Sequence, residues 1–188
     1  MIGRYWLLQL VRAVIAFAAG FLITLDQDHT AAYGIAMFAA FAIVSGLAVA
    51  AFFFVTDASG RAIWLVQGVL GIVVGVVALI VRSTGLGALL YSVSVWALLT
   101  GVAELYGGWR ARRGAAAEAS GARDRLAVGG FTVVLAIAYL VIPPEHRLAV
   151  GLFGAYAIVI GVYLAIGAFS LKWARPAEGA DEPTESHA

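Results

Sequence analysis

The sequence contains no cysteine and few charged residues, and both absences restrict the kind of protein it encodes. Without cysteine there is no disulfide bond, no thiol nucleophile and no thiolate metal ligand. Charged side chains make up only 12% of the 188 residues, whereas 63% are hydrophobic. A water-soluble domain of this size could not cover so apolar an interior with so little polar surface. A soluble globular fold is therefore excluded.

The sequence also lacks the short motifs that mark common catalytic sites. It has no H-E-x-x-H pair, no G-x-S-x-G elbow and no P-loop. His29 and His146 lie in separate predicted loops, and nothing fixes their spacing, so we expect no metal site. The net charge of +1 gives no reason to expect a nucleic-acid partner. We expect a protein that is not an enzyme, with no catalytic residue and no cofactor.

Six apolar runs reach the length of about 20 residues that crosses a hydrocarbon layer of about 30 Å. They cover residues 5–25, 31–55, 62–81, 86–106, 126–142 and 148–171. None of the four prolines lies inside a run. Backbone groups in lipid must be paired within the segment, and the runs do not alternate as barrel strands would. The sequence therefore predicts an all-α integral membrane protein with six transmembrane helices.

Every second predicted helix carries the same signature, which is an aromatic residue, Ala, two aliphatic residues, any residue and Gly. The signature occupies residues 41–46, 96–101 and 156–161, at offsets of 55 and 60. The preceding helices match in the same frame, with residues 12–20 aligned to 67–75. In the third copy, Gly129-Gly130 aligns at an offset of 62, which places Ile137 where the last glycine would be.

Repetition at this period indicates one supersecondary unit that is stacked several times. We therefore predict three parallel two-helix repeats within one transmembrane domain that spans residues 1–173. The repeats cover about 5–55, 62–106 and 126–171. Residues 107–125 are predicted to form a basic cytoplasmic linker, and residues 174–188 a disordered acidic tail. Parallel repeats exclude the inverted arrangement of many secondary transporters.

Small residues recur along the predicted helices at alternating spacings of three and four, and in membranes such stripes mark helix–helix contacts. We expect eight glycines to pack against neighbouring helices: Gly20, Gly46, Gly68, Gly71, Gly75, Gly101, Gly154 and Gly161. Leu, Val, Ile and Phe would then face lipid. The same stripes would permit contact with a second copy or with another membrane protein.

The distribution of Lys and Arg between loops predicts the orientation of the chain. With the N-terminus inside, the inner segments hold nine basic residues and the outer loops only Arg82 and Arg147. Four tryptophans fall at the predicted inner boundary, where indole rings prefer to lie: Trp6, Trp64, Trp109 and Trp173. Both termini are therefore predicted to be cytoplasmic. The preference for Arg over Lys is a hint of a bacterial source.

Arg12 and Glu104 are charged residues within predicted spans, where such residues usually face the interior of a helix bundle. Gln9 lies on the same face as Arg12, and Gln67 occupies the position of Arg12 in the second repeat. We predict that these four residues form a buried polar cluster in the cytoplasmic half. One interpretation is a proton or solute pathway with Glu104 as the titrating group. The other is a structural hydrogen-bond network, with Arg12 reaching toward the inner surface.

Two further groups of polar residues lie outside the predicted spans. The outer loops contain residues that titrate in acid, which suggests either pH sensing or simple solvation of the turns: Asp26, Asp28, His29, Glu145 and His146. The inner linker contains Arg110, Arg112 and Arg113. These arginines could contact anionic lipid headgroups or only fix the topology.

The residues resemble the HdeD-like acid-resistance membrane proteins. The resemblance rests on the motifs beginning at Trp6, at Arg12 and at Gln67, together with the three repeated signatures, and it covers roughly residues 5–173. It implies a six-helix, three-hairpin protein of the bacterial inner membrane that is linked to acid stress, and it supplies no catalytic residue. Family members commonly carry a proline in each outer turn, whereas here only Pro143-Pro144 fits.

Two functions follow from these patterns. The first is a non-enzymatic bacterial inner-membrane protein of the HdeD-like type, linked to acid or envelope stress tolerance. The alternative is a small proton or solute channel or transporter that uses the buried polar cluster. Transport needs polar groups at several depths, whereas here they gather in the inner half.

Overall fold

The computed structural model describes residues 2–26, 29–54, 58–113 and 116–173. In those ranges the chain forms six long α-helices, two short 3₁₀ turns and no β-strand. The helices are α1 (Ile2–Leu25), α2 (Ala31–Ala51), α3 (Ala58–Ile80), α4 (Leu86–Arg112), α5 (Ala116–Val141) and α6 (His146–Trp173). The all-α fold predicted from the apolar runs is confirmed. The predicted tail, residues 174–188, lies outside the described residues.

Each of the six helices is long and apolar enough to cross a bilayer. The spanning segments range from 19 residues in α3 to 28 in α6, or about 28 to 42 Å at 1.5 Å per residue. Large apolar side chains on the outside of the bundle, such as Val14 and Ile80, are exposed. That surface suits lipid, which is as apolar as the side chains that face it. The chain is a multi-pass membrane protein.

The helix ends follow local chemistry. Thr30 precedes α2, and its hydroxyl accepts a hydrogen bond from the Tyr33 N–H at 3.3 Å. Gly85 joins the 3₁₀ turn at Arg82–Thr84 to α4 with a φ of 85°, a conformation that glycine adopts without steric cost. After α5, two consecutive prolines begin at Pro143, where the missing N–H and the fixed φ prevent the helix from continuing.

The most extensive helix contacts join α1 to α6, α2 to α3, and α4 to α5. Within the hairpins of the sequence pattern, α1 with α2, α3 with α4 and α5 with α6, the contact is smaller. Gln9 near the start of α1 lies beside Gly167 near the end of α6, so these two helices are antiparallel. We call this end of the bundle the terminal end and the opposite one the distal end. The pairing of the first helix with the last closes the bundle into a ring.

Glycines allow the close approach in the three tight pairs. A Cβ atom on Gly46 would lie 2.7 Å from the carbonyl oxygen of Gly68 on α3. On Gly101 it would lie 3.1 Å from the Gly129 oxygen on α5, and on Gly161 it would lie 3.2 Å from the Ala13 oxygen on α1. The remaining glycines of the predicted contact set also have an atom of a neighbouring helix within 3.1 Å of such a Cβ: Gly20, Gly68, Gly71, Gly75 and Gly154.

These contacts correct the alignment of the third copy. Gly129 packs on Gly101 as Gly68 packs on Gly46, which gives an offset of 61 between the two odd-numbered helices instead of 62. A Cβ on Gly130 would meet nothing within 4 Å. Ile137 is 55% exposed, and the buried residue at the position of the last glycine is Ala136. The sequence alone could not fix this register, because two adjacent glycines match equally well.

Residues 107–125, predicted as a linker, are largely helical. The helix α4 continues to Arg112 and α5 begins at Ala116. Gly107, Gly108 and Ala122 are buried, because the extended ends of α4 and α5 remain packed on each other. The run of arginine, glycine and alanine looked like a loop, but alanine and arginine are also strong helix formers.

Candidate functional site

Glu104 on α4 is buried and receives hydrogen bonds from three other helices. Its Oε1 accepts from Nε2 of Gln67 on α3 at 2.8 Å and lies 2.8 Å from Nη1 of Arg12 on α1. Its Oε2 accepts from Nε of Arg125 on α5 at 2.9 Å. Only 2% of the Glu104 side chain is exposed. We call these four residues the Glu104 cluster.

The Glu104 cluster combines one carboxylate with two guanidinium groups. Removing such charges from water is costly, and direct pairing offsets this cost only when the geometry is good. The second acid nearby is Asp124, which precedes Arg125 on α5. Its carboxylate accepts from Gln9 Nε2 at 3.1 Å and from the Tyr163 hydroxyl at 3.4 Å. Asp124 thus places a second carboxylate near the Glu104 cluster in the terminal half of the bundle.

The structure brings three of the four predicted cluster residues, Arg12, Gln67 and Glu104, into direct contact. Gln9 does not join them and bonds to Asp124 instead. The sequence interpretation missed Arg125, because it was assigned to the linker. One signal could have found it: Arg125 lies three residues after the buried Ala122 and four before the packed Gly129, which continues the stripe of α5.

Arg125 is held in place by its neighbours. Its guanidinium lies over the ring of Trp64, 4.4 Å from the centroid, in a favourable cation–π arrangement. A Cβ on Gly107 would overlap this guanidinium, so the glycine leaves room for it. Trp64 itself packs against the rings of Tyr5 and Phe52 at 6.1 and 6.0 Å. Trp64 is only 5% exposed, so its side chain packs inside the bundle. That it lies at the level of the inner membrane boundary stays a prediction.

A cavity lies beside the Glu104 cluster, and all six helices contribute to its lining. The centres of water-sized molecules can occupy about 40 Å³ of this cavity, which is room for about three waters. Arg12, Gln67 and Glu104 reach it from the cluster. The repeated signature supplies six further lining residues, because its first and fifth residues line the cavity in all three copies: Phe41, Trp96 and Tyr156, and Ser45, Thr100 and Ile160.

Hydroxyl groups in the lining are bonded in a common way. Ser45, Thr100 and Thr132 each donate to the carbonyl oxygen four residues earlier, at 2.5, 2.6 and 2.7 Å. Their oxygens therefore remain available as acceptors. The Tyr156 hydroxyl is paired with Thr132 at 2.8 Å. The Oε1 atom of Gln67 is buried and has no hydrogen-bond partner among the residues that the structure describes.

Aromatic side chains close the distal side of the cavity. The rings of Phe38, Phe41, Trp96 and Phe153 meet edge to face, with four centroid distances between 5.4 and 5.7 Å. We call these four residues the aromatic plug. On the terminal side the cavity is bounded by Glu104, Val49 and Leu164, which are at most 4% exposed. Side chains thus bound the cavity toward both ends of the bundle, although the cavity is not fully enclosed.

The remaining predicted sites lie at the two ends of the bundle. Asp26 and His29 flank the loop between α1 and α2, and Asp28 lies outside the described residues. Glu145 and His146 are exposed at the start of α6. At the terminal end, three exposed arginines lie in or next to the last turn of α4: Arg110, Arg112 and Arg113. The Arg113 guanidinium lies 3.9 Å from the Trp109 ring centroid.

Comparison with known families gives two overlapping matches to one family model, described as a short repeat of unknown function (DUF308). The matches cover residues 11–80 and 66–122, and their starts are 55 residues apart. That distance equals the offset between the first two sequence signatures. No curated protein and no solved structure matches the chain. Because the matched residues make up more than half of its length, the chain belongs to the DUF308 short-repeat family.

Proposed function

We propose that this chain is a non-enzymatic protein of the bacterial inner membrane, with both termini cytoplasmic, that supports tolerance of acid or envelope stress without conducting protons or solutes. The observation that carries the proposal is the aromatic plug across the centre of the bundle. The plug bounds the cavity on the distal side, and buried side chains bound it on the terminal side. A role through membrane presence or through a protein partner fits a bundle that is blocked at its centre.

The distal half of the interior is largely apolar. Its buried side chains include Ile23, Ile35, Leu89 and Val150, and among the described residues the hydroxyl groups of Ser94 and Tyr139 are also buried there. A conducted ion needs polar groups or water at every depth. Among the described residues, the charged groups inside the bundle lie instead around Glu104 and Asp124 in the terminal half.

Glu104 is a poor proton carrier in this arrangement. Each of its oxygens already accepts from a guanidinium, and Gln67 donates to one of them as well. A proton on Glu104 would leave Arg12 and Arg125 without their counter-charge inside the membrane. The cluster therefore favours a structural role over a relay.

Proton flux into proteoliposomes tests the absence of conduction. Purified protein is reconstituted with an internal pH dye, and the external pH is stepped from 7 to 4. Samples with the wild type, with Glu104→Gln and with no protein are compared, and gramicidin supplies the positive control. We expect the three rates to be equal. A wild-type rate above that of empty liposomes, lost in Glu104→Gln, would overturn the proposal.

Survival of bacteria tests the stress role. Cells that lack the gene are exposed to acid and to a membrane-perturbing detergent, with and without a plasmid that encodes the wild type. We expect the plasmid to restore survival in at least one condition. Equal survival with and without the protein, at membrane levels verified by blotting, would contradict the role. A flux assay that shows no conduction would not restore the proposed stress role, because the two assays test separate parts of the proposal.

The cavity itself favours a second candidate function, a small proton or solute transporter. The polar lining of the cavity would form one half of a transport pathway across the membrane. Movement of the aromatic plug would extend that pathway toward the distal end. Reducing the plug with Phe38→Ala separates the two proposals. A transporter should show faster flux in this variant, whereas a closed structural protein should show only lower stability.

The arginines at the end of α4 lead to a proposal about lipids. Arg110 and Arg112 extend from its last turn, and Arg113 follows next to Trp109. Such a cluster suits anionic headgroups at the cytoplasmic surface. Replacing the three arginines with glutamine should reduce co-purification of anionic lipid, while the same change at Arg82 and Arg147 should not.

A further inference from the structure

We propose that the central cavity is a binding site for a small, planar, neutral molecule that carries both an N–H donor and a carbonyl acceptor, such as a simple amide. The site is formed by Gln67, Arg12 and the aromatic walls of Phe41, Trp96 and Tyr156. This inference goes beyond the proposed function and does not depend on it, because binding in the cavity requires no conduction.

The size of the cavity sets the size of the ligand. Space for about three water molecules corresponds to about three or four non-hydrogen atoms. A larger metabolite would require the six helices to separate. A cavity with this polar lining is not expected to stay empty, because the empty cavities of proteins are apolar.

Gln67 supplies an acceptor that the protein leaves unused. Its side chain is only 4% exposed, and Oε1 has no partner among the described residues. The other end of the amide is fixed, since Nε2 donates to the Glu104 carboxylate, and a flipped amide would place two acceptors together. A buried acceptor without a donor is unfavourable, so the position calls for a molecule that can donate.

Arg12 supplies the complementary donors. Its Nη1 is paired with Glu104 at 2.8 Å. The Arg12 side chain is 16% exposed and also lines the cavity, so its other N–H groups lie beside the space that a ligand would occupy. A guanidinium presents its donors in a fixed plane, which suits a carbonyl oxygen. One small amide could therefore accept from Arg12 and donate to Gln67.

Groups that repel a cation and groups that repel an anion both line the cavity. A cation would lie against the guanidinium of Arg12, with that of Arg125 close behind it on Glu104. An anion would lie against the Glu104 carboxylate and the unpaired oxygen of Gln67. A neutral molecule avoids both repulsions. The flat rings of Trp96 and Tyr156 favour a planar one.

Three small molecules of the same shape test this assignment. Formamide is neutral, formate is an anion and formamidinium is a cation, and each has three non-hydrogen atoms and a C–H proton. The full chain is placed in nanodiscs of deuterated lipid. Saturation transfer from aromatic protein protons to the formamide C–H proton is measured against formamide concentration, with empty nanodiscs as the blank.

We expect saturable transfer to formamide that neither formate nor formamidinium displaces. Gln67→Leu should lower the transfer at least about fivefold. Gln9→Leu is the matched control, because Gln9 is equally buried and also has an unpartnered Oε1, but does not line the cavity. This control should bind like the wild type. Circular dichroism and gel filtration of both variants verify that they are folded.

Several results would overturn the assignment. Transfer that is no greater than in empty nanodiscs would leave only water in the cavity. Displacement by formate or by formamidinium would identify an ion site instead. An equal loss in Gln67→Leu and Gln9→Leu would place the bound molecule elsewhere. If Gln67→Leu does not fold, Ala16→Leu, which fills the cavity from α1, should also abolish the signal; a signal that it leaves unchanged contradicts the proposal.

Discussion

At the scale of single residues, Glu104 holds together parts of the chain that are distant in sequence. Its two oxygens connect α1, α3 and α5 to α4. Because the two guanidiniums lie in a low-dielectric interior, each depends on this one carboxylate for its counter-charge. Glu104 therefore stabilises the bundle chiefly because, without it, the guanidinium groups of Arg12 and Arg125 would have no counter-charge.

Glu104→Gln tests that dependence. The substitution keeps the shape of the side chain but leaves Arg12 and Arg125 without a charged partner. Breaking a buried ion pair in this way typically costs about 3–5 kcal/mol, so we expect a clear fall in the midpoint of thermal unfolding in detergent. Glu145→Gln removes the same charge from an exposed position and is the control. Equal midpoints for the two variants would mean that the cluster contributes little to stability.

The sequence predicted part of this site for a physical reason. Charges inside apolar spans are rare, so Arg12 and Glu104 stand out, and the repeat brings Gln67 to the same depth. Arg125 does not stand out, because it follows a run of basic and small residues that looks like a loop. The cavity was beyond prediction, since its lining depends on how all six helices meet.

At the scale of the helices, the length of the apolar runs correctly predicted the six helices, because lipid leaves the backbone few alternatives. The length of the runs did not predict which helices pack most closely. The sequence repeat joins α1 to α2 and α3 to α4, whereas the closest packing joins α2 to α3 and α4 to α5. Chain connection alone does not decide which faces carry the small residues that pack most closely.

Substitutions at Gly101 and Gly130 distinguish the effect of helix packing on stability from the effect of helix propensity. A Cβ on Gly101 would lie within about 3 Å of the backbone and side chain of α5, whereas one on Gly130 would meet nothing within 4 Å. Gly101→Leu should therefore push α4 from α5 and lower the free energy of unfolding by about 1–3 kcal/mol or more. Gly130→Leu should be neutral or slightly stabilising, because leucine is the better helix former. Unfolding with denaturant in mixed micelles measures both variants. A similar loss for both would show that the close α4–α5 contact is not the cause.

At the scale of the whole molecule, the feature that sets the architecture is closure of the ring. The first and last helices form one of the three tight pairs, although they are furthest apart in sequence. Closure places residues from α1 beside residues from α6 and completes the lining of the cavity. A bundle that remained open at this seam would expose Arg12 and lose the cavity.

Cross-linking tests closure directly, because the native chain has no cysteine and any disulfide must come from the introduced pair. A Cβ on Gly154 would lie 3.3 Å from the Ile23 Cβ, just below the usual Cβ–Cβ range of about 3.5–4.5 Å for disulfides. We expect Ile23→Cys with Gly154→Cys to cross-link in native membranes under mild oxidation. After cleavage at a protease site inserted after Arg113, the two halves should stay together on a gel until they are reduced. Ile23→Cys with Gly130→Cys is the control and should separate without reductant. If the first pair also separates while its cysteines remain reactive, α1 and α6 do not form the closing contact, and the cavity between the six helices would have to be open on that side.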